Sequence, residues 1–279
     1  PSTPWARAQN PVWAQHNVAP DRVERMVFDS RRGVMFAIGS APRESQYWEL
    51  DTARGNWRQR LVSGPWRGSD TAFVYDSDRG VTVMFGGTSL GVAGTATFEW
   101  DGTAWTPRDV SGPSFRSNLA MAYDSVRGVT VLFGGDATGG ASAETWEWNG
   151  AGAGSWTRVA AGGPNSPPAM RSHEMVFDAA RGVTVLFGGV NGSGQTLDQT
   201  WEWNGTSWTL HATAGPSPRT GHAMAYDSHR GVTILFGGMN GTGQSLGDTW
   251  EWNGTTWTQR FSEGPSPRYG HAMAYDSVR

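Results

Sequence analysis

One phrase returns six times along this 279-residue chain: an aromatic residue, Asp, a small residue, a variable residue and Arg, with Gly following in the first five. It begins at Phe28, Tyr75, Tyr123, Phe177, Tyr226 and Tyr275, at intervals of 47, 48, 54, 49 and 49 residues. A period of this length confines the chain to repeat architectures, in which one unit cannot bury its own hydrophobic face and must stack on its neighbours. The long interval has a local cause: extra residues at Asn149–Ser155 and Pro164–Ala169, both in turn-rich stretches where a strand framework tolerates insertion.

Each unit divides into four short segments. In the fifth, Thr220–Tyr226 is small and mixed, as suits an inner strand near a crowded axis, and Asp227–Gly231 reads as a turn. Val232–Phe236 is β-branched and apolar and ends at Gly237-Gly238. A Gly-rich loop, Met239–Asp248, leads to Thr249–Trp252. Asn253-Gly254 is a strong hairpin signal, and Thr256–Arg260 forms the fourth segment. No segment shows helical periodicity over a useful length. The 39 Gly and 15 Pro supply the turns this pattern needs, and the 16 Trp are suited to filling wedges between units. Four antiparallel strands per unit, stacked face to face in a ring, describe an all-β propeller.

The chain resembles the kelch family. The resemblance rests on an apolar strand ending in Gly-Gly, at Gly86-Gly87, Gly134-Gly135, Gly188-Gly189 and Gly237-Gly238, followed by a spaced aromatic pair. The third segment reads YWEL, FEW or WEW, with a further Trp at Trp57, Trp105, Trp156, Trp208 and Trp257; the first unit departs, with Gly39-Ser40. The resemblance covers roughly residues 12 to 279 and implies a kelch-type β-propeller of five complete four-stranded blades plus a partial sixth. Residues 1–279 are then one domain: an N-terminal segment 1–21, five repeats over 22–268, and 269–279 as the first strand of an incomplete sixth repeat. Val12–His16 resembles the fourth strand at Ser207–His211 and is expected to close the last blade. The chain is expected to continue past Arg279 with the strands that the sixth blade lacks.

Much of the charge belongs to the repeat. Glu49, Glu99, Glu147, Glu202 and Glu251 recur in the third strand, Arg22, Arg67, Arg116, Arg171, Arg219 and Arg268 open the first, and Asp76 with Arg79 and their equivalents flank the first turn. A residue needed once per blade is architectural, and buried charges must be paired, so Glu–Arg contacts are expected. The alternative is an Arg ring at one channel mouth that captures an anion. His173, His222 and His271 share one first-strand position, held elsewhere by Glu24, Thr71 and Leu119. They read as hydrogen-bonded structural residues; a zinc site would need them to converge at ligand distances of ~2 Å. The loops Asn191–Asp198 and Asn240–Asp248 lack the dense carboxylates of calcium loops.

Among enzymes of this fold, a copper centre built on a Cys–Tyr cross-link is excluded, because the chain has no Cys. No nucleophile elbow, phosphate-binding Gly-Lys loop or HExxH is present. No cofactor or metal is therefore assigned. The resemblance implies a non-catalytic module that binds protein or serves as a scaffold, as a subunit of a larger assembly. The alternative is an extracellular carbohydrate-binding module, or a sugar epimerase or mutarotase using channel-mouth acid/base groups. Candidate partner contacts are the neighbouring pairs Trp66/Arg67 and Phe115/Arg116, where later units carry Pro218 and Pro267, together with Arg43 and Glu44 in the most divergent unit. Arg219, Arg268 and the three histidines complete the candidate set. A net charge of −3 argues against nucleic acid as partner, and no apolar run reaches the roughly 20 residues of a membrane span. The site of action is expected to be outside the cytoplasm of a bacterium.

Overall fold

The computed structural model describes residues 23–41, 44–62, 64–65, 70–87, 96–211, 214–260 and 264–278. They form five four-stranded antiparallel sheets, each with its strands paired in chain order, in a β-propeller-like arrangement without helices; short two-residue strands at Asp136–Ala137, Gly140–Ala141 and Val190–Asn191 interrupt the chain order of sheets three and four and pair outside them. Sheet one comprises Arg25–Asp29, Val34–Ala41, Glu44–Asp51 and Asn56–Arg60; sheet two comprises Thr71–Asp76, Val81–Gly86, Thr97–Trp100 and Trp105–Arg108. Sheet three comprises Ala120–Asp124, Val129–Phe133, Thr145–Asn149 and Ser155–Ala160. Sheet four comprises Glu174–Asp178, Val183–Phe187, Thr200–Trp203 and Trp208–His211. Sheet five comprises Ala223–Asp227, Val232–Phe236, Thr249–Trp252 and Trp257–Arg260. The first strands pack side by side in chain order, so they form the inner wall and the fourth strands the rim.

The second strands are largely apolar, with one buried Thr in sheets two to five, because both their faces are covered by neighbouring sheets: Val131, Leu132 and Phe133, like Val185, Leu186 and Phe187, have no exposed surface. The rim strands are mostly exposed, and Pro107 in sheet two removes a donor from one such edge, which discourages pairing with another chain.

The expected charge pairing is present in all five sheets. In sheet two, Asp76 Oδ1 accepts the backbone N–H groups of Asp78 and Arg79 at 3.1 and 2.9 Å, which builds the turn. Asp76 Oδ2 takes Arg79 Nε at 2.7 Å, and Arg79 Nη1 reaches Glu99 at 2.7 Å. Arg108 from the rim strand closes on the other oxygen of Glu99 at 2.6 Å. Arg32, Arg127, Arg181 and Arg230 bridge the same Asp and Glu positions in the other sheets.

Tryptophans stitch the sheets together. Trp148, Trp203 and Trp252 each donate Nε1 to the third-strand Glu of the preceding sheet: Glu99, Glu147 and Glu202, at 3.2, 3.3 and 2.9 Å. The rim-strand Trp156, Trp208 and Trp257 donate to Thr97, Thr145 and Thr200 at 2.8, 2.9 and 2.8 Å. The seam between sheets one and two is built differently, as an aromatic stack: Phe36 lies 5.2 Å from Trp100 at 8° and packs with Tyr47, Phe73 and Trp105.

Residues 271–276, within the segment 269–279 expected as a first strand, run alongside the inner wall without strand pairing, because no described residue supplies the second strand of that sheet. The segment still occupies an inner-wall place: Ala274 packs on the Phe28, Met35 and Leu50 cluster of sheet one, and Gly270 N–H donates to Gly221 O at 2.7 Å. The expected closing strand at 12–16 and the segment 1–21 lie outside the described residues.

Candidate functional site

The five inner strands and residues 271–277 surround a cavity of about 360 Å3 on the central axis. Two features of the repeat build it. Just before the inner strands of sheets two to five, and before the segment 271–277, stands a residue with left-handed backbone: Asp70 (φ 78°), Asn118 (54°), Ser172 (54°), Gly221 (61°) and Gly270 (63°). Non-glycine residues adopt this conformation at a cost and only where the surroundings enforce it. Here it lets each N–H point along the ring. Asn118 donates to Asp70 O at 3.0 Å, Ser172 to Asn118 O at 2.8 Å, and Gly221 to Ser172 O at 3.5 Å. This backbone belt marks one end of the channel. At the other end stand the turn residues Ser30, Ser77, Ser125, Ser228 and Ser277, with Tyr75, Tyr123, Tyr226 and Tyr275 beside them.

Two residues inside the belt, the inner strands carry Ala72, Ala120, Ala223 and Ala272 in four units, but Arg25 in the first and Glu174 in the fourth. Both line the cavity. Two inner strands separate them on one side, and one inner strand with the 271–277 segment on the other, so they face each other across the axis. Arg25 donates Nε to Thr71 O at 2.9 Å and Nη1 to Glu24 O at 3.0 Å; both acceptors are neutral carbonyls. The Glu174 carboxylate accepts no hydrogen bond from a described residue. It keeps some accessible surface because the channel is open, yet protein surrounds it, and this burial raises its carboxyl above the usual range; Arg25 acts in the opposite direction. Around the pair runs a ring of Met26, Phe73, Met121, Met175, Met224 and Met273.

The histidines sit elsewhere in the wall. His173 and His222 are buried in separate seams, edge-on to Phe133 and Phe187 of the preceding sheet at 5.4 and 5.6 Å, and His271 meets Phe236 in the same way at 5.3 Å. The expected hydrogen bonds are missing: the carbonyls of Phe133 and Phe187 approach, but no ring nitrogen reaches hydrogen-bond geometry. Burial holds His173 and His222 down to about 3 and His271 to about 4, so all three are neutral near pH 7. Among the described residues no three or more His, Asp or Glu are grouped to hold a metal ion.

Arg116 and Arg219 have no exposed surface and are consumed inside their own sheets. Arg116 pairs with Glu144 at 2.9 Å, and Arg219 with Asp248 at 2.7 and 2.8 Å. They offer no guanidinium to a ligand or partner. Arg171 is not their equivalent. Met170 is, since Gly135 N–H donates to Met170 O as Gly87 and Gly189 donate to Arg116 O and Arg219 O. Arg171 instead meets Asp136 at 3.3 Å. An Arg ring at the mouth is therefore not formed by these positions. Arg268 is exposed, held by Ser266, with exposed Tyr269 next to it, and Phe115 is half-buried. Trp66, Arg67, Arg43 and Arg22 lie outside the described residues, as does the side chain of Glu44.

Arg25 and Glu174 were missing from the sequence-derived candidates. Their signal is nonetheless in the sequence: aligning the six units by the turn phrase shows charge replacing Ala at one inner-strand position, twice. No protein-family model matches the chain, and no curated protein matches it either.

Proposed function

We propose that this chain is a kelch-type propeller of six repeat units that works by binding and not by catalysis, with the central channel as its ligand site. The carrying observation is the Arg25/Glu174 pair. The recurrent Asp, Arg and Glu are engaged in keeping the sheets together, whereas these two charges break the repeat where a cavity opens. Residues that depart from a structural repeat at a concave site, with a perturbed titration, are functional candidates on physical grounds. Thermal protection by small polar solutes tests this. Neutral sugars, sugar acids and amino acids are screened against the chain and its Arg25→Ala variant. The reading expects at least one class to protect the unaltered chain and to lose its effect in the variant. Absence of protection by every class, or undiminished protection of the variant, counts against it.

A protein-binding or scaffold role has its own support in Arg268 and Tyr269. An exposed aromatic beside an exposed Arg that pairs with no carboxylate among the described residues is a common interface pair. Native mass measurement of the protein from its source, with and without the Arg268→Ala/Tyr269→Ala double substitution, separates this role from the first. A co-migrating subunit lost in the double variant supports it, and a single subunit in both cases removes it.

A further inference from the structure

Two opposite charges face one small cavity, and neither is in an ion pair with a described residue. Among the described residues no ion pair involves Arg25 or Glu174; the guanidinium rests on two backbone carbonyls and the carboxylate accepts nothing. The two sense each other electrostatically across the channel without meeting. Charges surrounded by protein are costly unless paired, and a hydroxyl satisfies a carboxylate's geometry but not its charge. The occupant that relieves both ends carries a carboxylate for Arg25 and an ammonium for Glu174. A dicarboxylate would repel Glu174, and a diamine would repel Arg25.

The rest of the lining sets the body of the ligand. Met121, Met175, Met224 and Met273 present flexible, polarisable thioethers that adapt to an apolar group of uncertain shape. The cavity, at about 360 Å3, lies at the lower end of the ~300–1,000 Å3 range of ligand pockets, which suits a single residue and excludes a folded chain.

We propose that the channel binds a free amino acid with an apolar side chain, its carboxylate on the Arg25 guanidinium, its ammonium on the Glu174 carboxylate and its side chain within the methionine ring. The assignment rests on the channel being the ligand site. It also has a consequence of its own. Glu174 must be ionised to receive the ammonium, and burial favours its neutral form, so binding releases protons below the raised titration and affinity rises with pH.

Calorimetry on the whole chain tests this with leucine and methionine, beside 4-methylpentanoate, which lacks the ammonium, and 3-methylbutylamine, which lacks the carboxylate. Titrations run at several pH values and in two buffers of different ionisation enthalpy. Arg25→Ala and Glu174→Ala reproduce the residue of four other units, so the ring itself argues that they fold; Glu174→Gln keeps the shape. The expected result is binding of leucine or methionine, at least tenfold weaker binding of both analogues, and loss of proton release in Glu174→Gln. Equal binding of 4-methylpentanoate, or unchanged proton release in Glu174→Gln, overturns the proposal. Arg25-dependent binding of sugars or sugar acids without binding of amino acids overturns it while leaving the channel as the ligand site. No binding by any of these solutes overturns both.

Discussion

Arg219 donates Nη1 and Nη2 to the two oxygens of Asp248, at 2.7 and 2.8 Å, while its Nε and a second Nη2 bond hold the backbone and hydroxyl oxygens of Ser217. The guanidinium has no exposed surface. Burial opposes ionisation of Asp248, but Arg219 and Trp250 outweigh it and hold the carboxyl below its usual range. Sheet three repeats the pair as Arg116 and Glu144, with Glu144 brought down to about 2 by Arg116, Trp146 and Arg158 against its own desolvation. Sheet four has neither charge. Met170 takes the Arg position, fully buried, and Gln199 takes the carboxylate position, where it accepts Trp201 Nε1 at 3.2 Å. Both members change together.

This internal substitution predicts how the pair responds to mutation. Asp248→Ala leaves Arg219 charged and buried, and losing one partner of such a pair costs about 3–5 kcal/mol. The double variant Arg219→Met/Asp248→Gln copies sheet four and should recover most of that loss. Chemical denaturation of the single and double variants measures it. A double variant as unstable as Asp248→Ala would mean that sheet four tolerates Met170 for reasons outside this pair.

The glycines that flank the second strand of sheet four are fixed by two constraints that can be separated. Gly182 and Gly188 both have φ of 68°. A Cβ on Gly182 meets nothing within 4 Å, whereas on Gly188 it would stand 2.7 Å from Arg219 O and 2.8 Å from His222 Cε1. Gly182→Ala should therefore cost only the left-handed penalty of roughly 1–2 kcal/mol. Gly188→Ala should cost more, because the backbone of the next sheet cannot retreat without opening the seam. Equal losses in the two variants, measured by denaturation, would assign the whole effect to φ.

What the sequence made legible follows from what repeats. Val232–Phe236 and Thr249–Trp252 are strands as read, because an apolar run ended by Gly-Gly and a Trp-Glu-Trp alternation each have one plausible use in a stacked sheet. The Glu–Arg network was legible for the same reason. The register of Arg171 was not: an insertion before it displaces the Arg by one residue, and only the Gly135–Met170 hydrogen bond reveals that Met170 holds the buried place. The seam histidines looked as though they would be hydrogen-bonded, because a sequence shows a polar side chain but not the phenylalanine edge it packs on. Arg25 and Glu174 carry no repeat signal, because a site made once on a repeated scaffold shows only as an exception to the pattern.

The tyrosines of the turn phrase give a further test. Tyr75, Tyr123 and Tyr226 set their hydroxyls against Asp29, Asp76 and Asp178 of the preceding sheet; burial and these carboxylates raise Tyr75 to about 12 and shift the other two in the same direction. Phe177 holds this position in sheet four and has no hydroxyl for the Asp124 turn. Phe177→Tyr should add the missing latch and stabilise the protein by about 0.5–1.5 kcal/mol, the net value of one intramolecular hydrogen bond. A melting temperature at or below that of the unaltered chain would show that the Asp124 side chain, already held by Val126 and Arg127, has no capacity left.

Histidine titration should dominate the mildly acidic limb of the stability profile. His173 and His222 titrate near 3 when folded and His271 near 4, against 6.5 for the free side chain. Their folded values are depressed, so the neutral form favoured by the fold contributes in full above pH 6.5, and its advantage is lost as pH falls towards the folded values. Each histidine adds a slope of up to about 1.4 kcal/mol per pH unit in that window. Glu174 works in the other direction: its folded carboxyl is raised, so its contribution is complete below 4.5 and fades as pH rises. The two effects oppose each other as pH rises above 4.5, and substitution separates them. His222→Leu copies Leu119 of the third unit and should flatten the decline from pH 6.5 downwards, whereas Glu174→Gln should remove the opposing loss above pH 4.5 and stabilise the protein at pH 8. Denaturant midpoints measured from pH 4.5 to 8 read both. A His222→Leu profile parallel to that of the unaltered chain would mean that this imidazole is protonated within the seam, and that its packing on Phe187 accommodates the charge.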